Sequence, residues 1–343
     1  MSTQTQEKNF IKNFAPSWFA IIMGTGVLAI DSLVFSRYFL PLKGIAYILF
    51  YLNIILFILF LIPWILRWIL YFEDAYNDLI HPIKNAFYPT IAIGLMVLAA
   101  DFLIIGKNVS VAKTLWWIGS LGTVFFSFLV PYYLFRSESV KIDHVNPGWY
   151  IPPVGLIVIP IAGGLLLNYI SPSLKEFAVL LNYFGWGAGF FLYLAFLAIV
   201  IYRFILHHPL PSTLAPTIWI NLGPIGAGIV SLVNLISNSS FVSVKEPFYV
   251  FSLLFWGFGI WWFVMALIML IHYLKNLNLS FAMTWWAFIF PLGAYVASCN
   301  VLYKIFKFSL ISHIGFLLYL LLLFMWTINF FKTLIGVLKR EII

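Results

Sequence analysis

The chain has 343 residues, 63% of them hydrophobic and 9% charged, with a mean hydropathy of +1.03 and a formal net charge of +8. That balance excludes an ordinary soluble domain, and the basic residues are spread along the chain instead of forming a patch for nucleic acid. The single cysteine, Cys299, excludes an intrachain disulfide and leaves no thiolate set for a metal.

Met1 to Asn13 is polar, and the apolar segment after it is too long for a cleavable signal. A spanning helix needs about 20 mostly apolar residues. Ten stretches qualify, at 15–35, 44–70, 87–105, 111–135, 149–170, 174–206, 214–237, 248–274, 281–303 and 308–337. They predict an all-α membrane protein: a cytoplasmic N-terminal segment over 1–14, then a ten-helix transmembrane domain over 15–338.

Every second stretch opens on a similar mark. These are Pro16-Ser17-Trp18-Phe19, Tyr88-Pro89-Thr90, Ile151-Pro152-Pro153, Ala215-Pro216-Thr217 and Ala282-Met283-Thr284. Measured on Pro16, Pro89, Pro153, Pro216 and Met283, the steps are 73, 64, 63 and 67 residues. A near-constant period signals a repeated structural unit, and each period holds two helices. Five helical hairpins around one axis are the expectation, and with them a central pore.

The odd stretches also carry the helix breakers: Gly24-Thr25-Gly26, Gly94, Pro160 with Gly163-Gly164, Gly223-Pro224, and Pro291 with Gly293. Even stretches are longer and richer in Leu, Ile and Phe. Lipid cannot satisfy a freed backbone group, so broken helices belong inside, against protein or water. Close packing through small residues is the plainer account of the same glycines. The fivefold recurrence favours an inner ring of odd helices within an even sleeve.

Three motifs resemble the tellurite-resistance/dicarboxylate transporter family. They are Pro16-Ser17-Trp18-Phe19-Ala20-Ile21-Ile22-Met23-Gly24-Thr25-Gly26, His208-Pro209-Leu210-Pro211 followed by Pro216 through Pro224, and Trp285-Trp286-Ala287-Phe288-Ile289-Phe290-Pro291-Leu292-Gly293. That family includes bacterial tellurite-resistance proteins, yeast malic acid transporters, fungal sulfite exporters and plant slow anion channels. The resemblance implies five hairpins in quasi-fivefold array, one pore per subunit, a homotrimer, and a pore-occluding phenylalanine before the ninth-helix proline. Here that residue is Phe290. Its helical face holds Met283, Trp286 and Ala287 before it, and beyond it only the small residues Gly293, Ala294 and Ala297.

The candidate path residues are Gly24 and Thr25, Thr90 and Gly94, Pro160 and Gly163, Thr217, Asn221 and Pro224, and Ala287, Pro291, Ala294 and Ala297. No odd helix carries Lys or Arg in its middle third, so selectivity has to come from diffuse fields such as helix N-termini. Asp31, Asn168, Ser231 and Ser298 each follow their segment mark by 15 residues, and Asp101 follows Pro89 by 12. They form a candidate outer-mouth polar ring or proton site. Asn221, Asn234 and Asn300 are candidate donors to an anion, or packing hydrogen bonds.

With the N-terminus inside, eleven Lys and Arg fall on the cytoplasmic side, Lys8 and Arg340 among them, against eight outside. Both termini in the cytoplasm and a cell-membrane location are the expectation. Glu73-Asp74-Ala75-Tyr76-Asn77-Asp78 resembles one acidic motif of Mg²⁺-dependent membrane prenyltransferases, but no second acidic cluster accompanies it. A solvated turn accounts for it better. His207 and His208 are adjacent, about 100° apart on a helix, and read as a loop pair before Pro209. The chain reads as no enzyme, with no cofactor and no metal. Its expected function is passage of a small anion, a C4-dicarboxylate such as malate first, with sulfite or another small inorganic anion as the alternative.

Overall fold

The structure, a computed structural model, describes residues 9–277 and 279–339. Most of the 1–14 segment, and the Lys8 and Arg340 of the charge count, lie outside those residues. Among the described residues, ten helices are long and apolar enough to cross a membrane. They are α1 (Pro16–Phe35), α2 (Leu42–Leu70), α3 (Asn85–Ile104), α4 (Val109–Phe135) and α5 (Pro147–Tyr169), then α6 (Pro172–Leu206), α7 (Ala215–Asn238), α8 (Glu246–Asn276), α9 (Met283–Phe306) and α10 (Ser309–Leu338).

Each odd helix begins as a tight 3₁₀ segment: Pro16–Phe19, Asn85–Phe87, Pro147–Tyr150, Ala215–Asn221 and Met283–Phe288. The recurring sequence mark is therefore a 3₁₀-to-α transition. Proline suits such a start because its ring fixes φ and the first turn has no use for its missing N–H. Pro224 and Pro291 sit just past that transition, each the third residue of an α-helical stretch, Leu222–Asn238 and Ile289–Phe306, so they mark the point where the 3₁₀ segment gives way to α-helix. Pro160 does lie inside α5, but Pro63 and Pro131 lie equally inside α2 and α4. Interior proline does not distinguish the two layers.

Burial distinguishes them instead. In the odd helices 67–89% of the most apolar window is buried, against 17–33% in the even ones. Contacts run α1 to α3, α3 to α5, α5 to α7, α7 to α9, and α9 back to α1, so the inner ring closes. Each even helix packs on the odd helix before it, completing five hairpins. Indole N–H groups tie sleeve to ring: Trp116 donates to Ile159 O at 2.9 Å, Trp186 to Gly228 O at 3.0 Å, and Trp262 to Ile218 O at 2.9 Å.

The ring's glycines serve close approach. A Cβ on Gly226 would collide with the Ala294 and Tyr295 backbone of α9, and one on Gly164 would lie 2.9 Å from the Asn234 carbonyl carbon of α7. Small residues let helix backbones meet in this way.

Candidate functional site

Three cavities lie in series within and above the ring. The first is a vestibule of about 410 Å³ on the face where the odd helices begin. Its wall includes Lys12, Ser17, Arg67, Asp74, Asp78, Lys84, Phe87, Met283 and Thr284. Ser17, Phe87, Met283 and Thr284 continue into a neck of only about 50 Å³, lined from all five odd helices. Beyond the neck is a third space of about 320 Å³, also walled by all five. Phe290 lines both the neck and this inner cavity.

Phe290 is the second residue of the α-helical part of α9 and is 5% exposed. The neighbouring Phe288 packs edge-on to Trp219 of α7 at 5.3 Å and to Trp285 of α9 at 5.8 Å. Phe290 instead turns to the axis. Around it the neck is mostly apolar, and of its hydroxyls those of Thr90 and Thr284 are already donated to backbone carbonyls, Pro16 O and Thr213 O. A space of about 50 Å³ has room for a few waters at most.

The vestibule is charged and tightly paired. Arg67, 3% exposed, donates to Phe14 O at 2.9 Å and meets Asp78 Oδ2 at 2.6 Å. Lys84 meets the other oxygen of Asp78 at 2.7 Å. The stretch 73–78 is thus no solvated turn: it belongs to the helix Phe72–Ile80, and that helix walls the vestibule. His207 closes α6 by pairing with Asp143 at 2.8 Å.

Among the candidate path residues, Thr90, Ala287, Phe290, Pro291, Ala294 and Ala297 stand on the cavity walls. Gly24, Thr25, Gly94, Pro160, Gly163, Thr217, Asn221 and Pro224 do not line these three spaces. Thr25 Oγ1 accepts from Trp326 in the sleeve at 3.0 Å. Gly24 abuts Ile289, Gly94 lies against Ile22, and Gly163 faces Asn182 and Trp116. Thr217 donates to Leu214 O at 2.5 Å, and Asn221 is wholly buried.

The five polar candidates also part company. Asp31 is on the inner-cavity wall, fully buried, and neither carboxyl oxygen has a hydrogen-bond partner among the described residues. Asp101 accepts from Asn53 in α2 at 3.1 Å, between helices. Ser231 and Ser298 donate to backbone carbonyls of their own helices, Gly228 O and Tyr295 O. Asn168 is exposed at the end of α5. The polar groups that do reach the inner cavity with Asp31 are Asn234, Asn300 and Lys304. Lys304 escaped the sequence reading because it follows the middle third of α9. Its signal was its spacing, four residues after Asn300 and seven after Ala297.

A family described as voltage-dependent anion channel (SLAC1) matches residues 13–334. The chain belongs to this family. An uncharacterized transporter of Methanocaldococcus jannaschii is 61% identical over 95% of this chain and 94% of its own. A sulfite efflux pump of Arthroderma otae is 27% identical over 97% of this chain and 93% of its own. A malic acid transport protein of Schizosaccharomyces pombe is 24% identical over 85% of this chain and 70% of its own. The protein is a multi-pass membrane protein of an anion-transport family, and the tellurite-resistance/dicarboxylate resemblance agrees with these relatives.

Proposed function

We propose that this protein passes a small oxyanion through the axis of the inner ring, with Phe290 as the gate. The observation that carries the reading is the double exposure of Phe290, one ring walling both the neck and the inner cavity. The conformation is then the closed one, since a neck of about 50 Å³ cannot hold malate or sulfite with water around it. Conduction requires the phenyl ring to swing aside. The neck at Phe290 carries no charged side chain, so the anion crosses the gate without being trapped there by a fixed charge.

Sulfite and malate are the two substrates to separate. The sulfite efflux pump matches nearly the full length of both chains, which favours sulfite. The family resemblance supports a quasi-fivefold array of hairpins and a homotrimer with one pore per subunit.

Proteoliposomes loaded with labelled sulfite, malate or chloride test the reading. Phe290→Ala is expected to raise flux on the order of tenfold or more, because a barrier lowered by about 1.4 kcal/mol already does so. Unchanged flux in Phe290→Ala would remove the gate. No flux of any anion in the wild-type protein would remove the transport reading itself.

A further inference from the structure

The geometry points to an oxyanion subsite in the inner cavity, made by the Asn300 amide and the Lys304 ammonium and positioned by Arg37. This inference rests on the anion-passage reading and adds to it a resting place beyond the gate and a preference for oxyanions over halide.

Arg37, just past the end of α1, donates from Nη1 to Asn300 Oδ1 at 3.0 Å. A guanidinium has donors and no acceptor, so the atom it grips must be the amide oxygen. The orientation of Asn300 is thereby fixed by chemistry. Its Nδ2, with two N–H donors, makes no hydrogen bond among the described residues, and Asn300 stands on the cavity wall.

Arg37 is itself held in place. Its Nη2 donates to Ser312 Oγ at 2.8 Å, and its guanidinium carbon lies 5.0 Å and 5.1 Å from the ring centres of Tyr38 and Tyr303. Among the described residues no carboxylate pairs with Arg37 or Lys304. Lys304 is one helical turn from Asn300 on the same face and on the same wall. An anion beside Asn300 therefore meets two neutral donors, a mobile ammonium, and the field of a guanidinium behind the amide.

Two donors on a planar amide and a third group a turn away suit a ligand with several oxygens. A carboxylate or a sulfite oxyanion can accept from the two residues on separate oxygens, whereas chloride requires all the donors to converge on a single centre. The same cavity is also lined by an acid, Asp31, whose carboxyl oxygens have no hydrogen-bond partner among the described residues.

The decisive variant is Asn300→Asp. It keeps an oxygen for Arg37, and so keeps the fold, while replacing the two donors by an acceptor. In proteoliposomes its KM for sulfite and malate is expected to rise about tenfold or more, the loss expected for a charge-assisted hydrogen bond, with chloride flux changed less than threefold. Arg37→Met is expected to raise the oxyanion KM with Vmax nearly unchanged, and Arg37→Lys to recover part of it, as a positioning residue requires. Lys304→Gln should raise the same KM.

If Asn300 serves only to anchor Arg37, Asn300→Asp will transport with the wild-type KM, and the subsite is overturned. Equal rises for chloride and for oxyanions would overturn it too, since they would mark a distorted mouth. If wild-type protein carries chloride but neither oxyanion, the gate reading stands and this inference fails. Size-exclusion elution identical to wild type certifies each variant as folded.

Discussion

At the scale of single residues, the ring is set by what its members lack. Gly226 has no room for a methyl group because the Ala294–Tyr295 backbone occupies that place, whereas Gly187 on the sleeve helix α6 has nothing within 4 Å of an added Cβ. Gly226→Ala must push α7 from α9 and is expected to cost about 1–3 kcal/mol, the usual range for overpacking. Gly187→Ala should be neutral or slightly stabilising, since alanine favours the helix by about 1 kcal/mol. Thermal unfolding in detergent micelles checks the pair. Equal melting temperatures would mean that the α7–α9 contact is not tight.

The same contacts explain which candidate residues were legible in the sequence. The α9 face of Ala287, Phe290, Ala294 and Ala297 could be read because it alternates one large ring with small groups at helical spacing. Thr25, Gly163 and Thr217 could not be assigned a direction. An inner helix is apolar towards the sleeve and towards the cavity alike, so it has no polar stripe to mark its rotation. A threonine that reaches an indole N–H, as Thr25 does, looks identical in sequence to one that faces an open path.

Among elements, the short helix Phe72–Ile80 shows how a loop joins the pathway. Its Asp78 holds Arg67 and Lys84 together, and Arg67 in turn holds the Phe14 carbonyl that leads into α1. The helix is amphipathic, with Ala75 and Leu79 buried and Glu73 and Asn77 exposed. Asp78→Asn leaves a buried guanidinium without its carboxylate and is expected to destabilise by about 1.5–3 kcal/mol. Lys12 and Asp74 are also paired, at 3.6 Å, but their side chains are 49% and 42% exposed. Lys12→Ala is therefore expected to cost no more than about 0.5 kcal/mol. Chemical-denaturation midpoints of the two variants should differ accordingly, and equal midpoints would refute the difference drawn here between buried and exposed pairs. In the sequence, the run 73–78 shows only its acids. The partners that give it a role come from α2 and from the start of α3, and no local pattern announces them.

For the whole molecule, the spacing of the five marks carried the architecture, and lipid explains why it could. The sleeve must be apolar over its full length and the hairpins must return to the same face, so ten long apolar runs leave little freedom of topology. What spacing leaves open is which face is cytoplasmic, because eleven basic residues against eight is a small bias. The direction matters for mechanism. All five odd helices begin on the face that holds the vestibule, and each N-terminus contributes roughly half a positive charge, so anions are drawn to that face whichever compartment it meets. Orientation can be measured on the native background, since Cys299 is fully buried and free. A membrane-impermeant maleimide should leave the wild-type protein unlabelled. Ser139, between α4 and α5, and Ser173, near the start of α6, are exposed on opposite faces. With the vestibule in the cytoplasm, Ser173→Cys is expected to label in intact cells and Ser139→Cys only after permeabilisation. The reverse pattern would place the vestibule outside, and anions would then be gathered from the medium and released inward past Phe290.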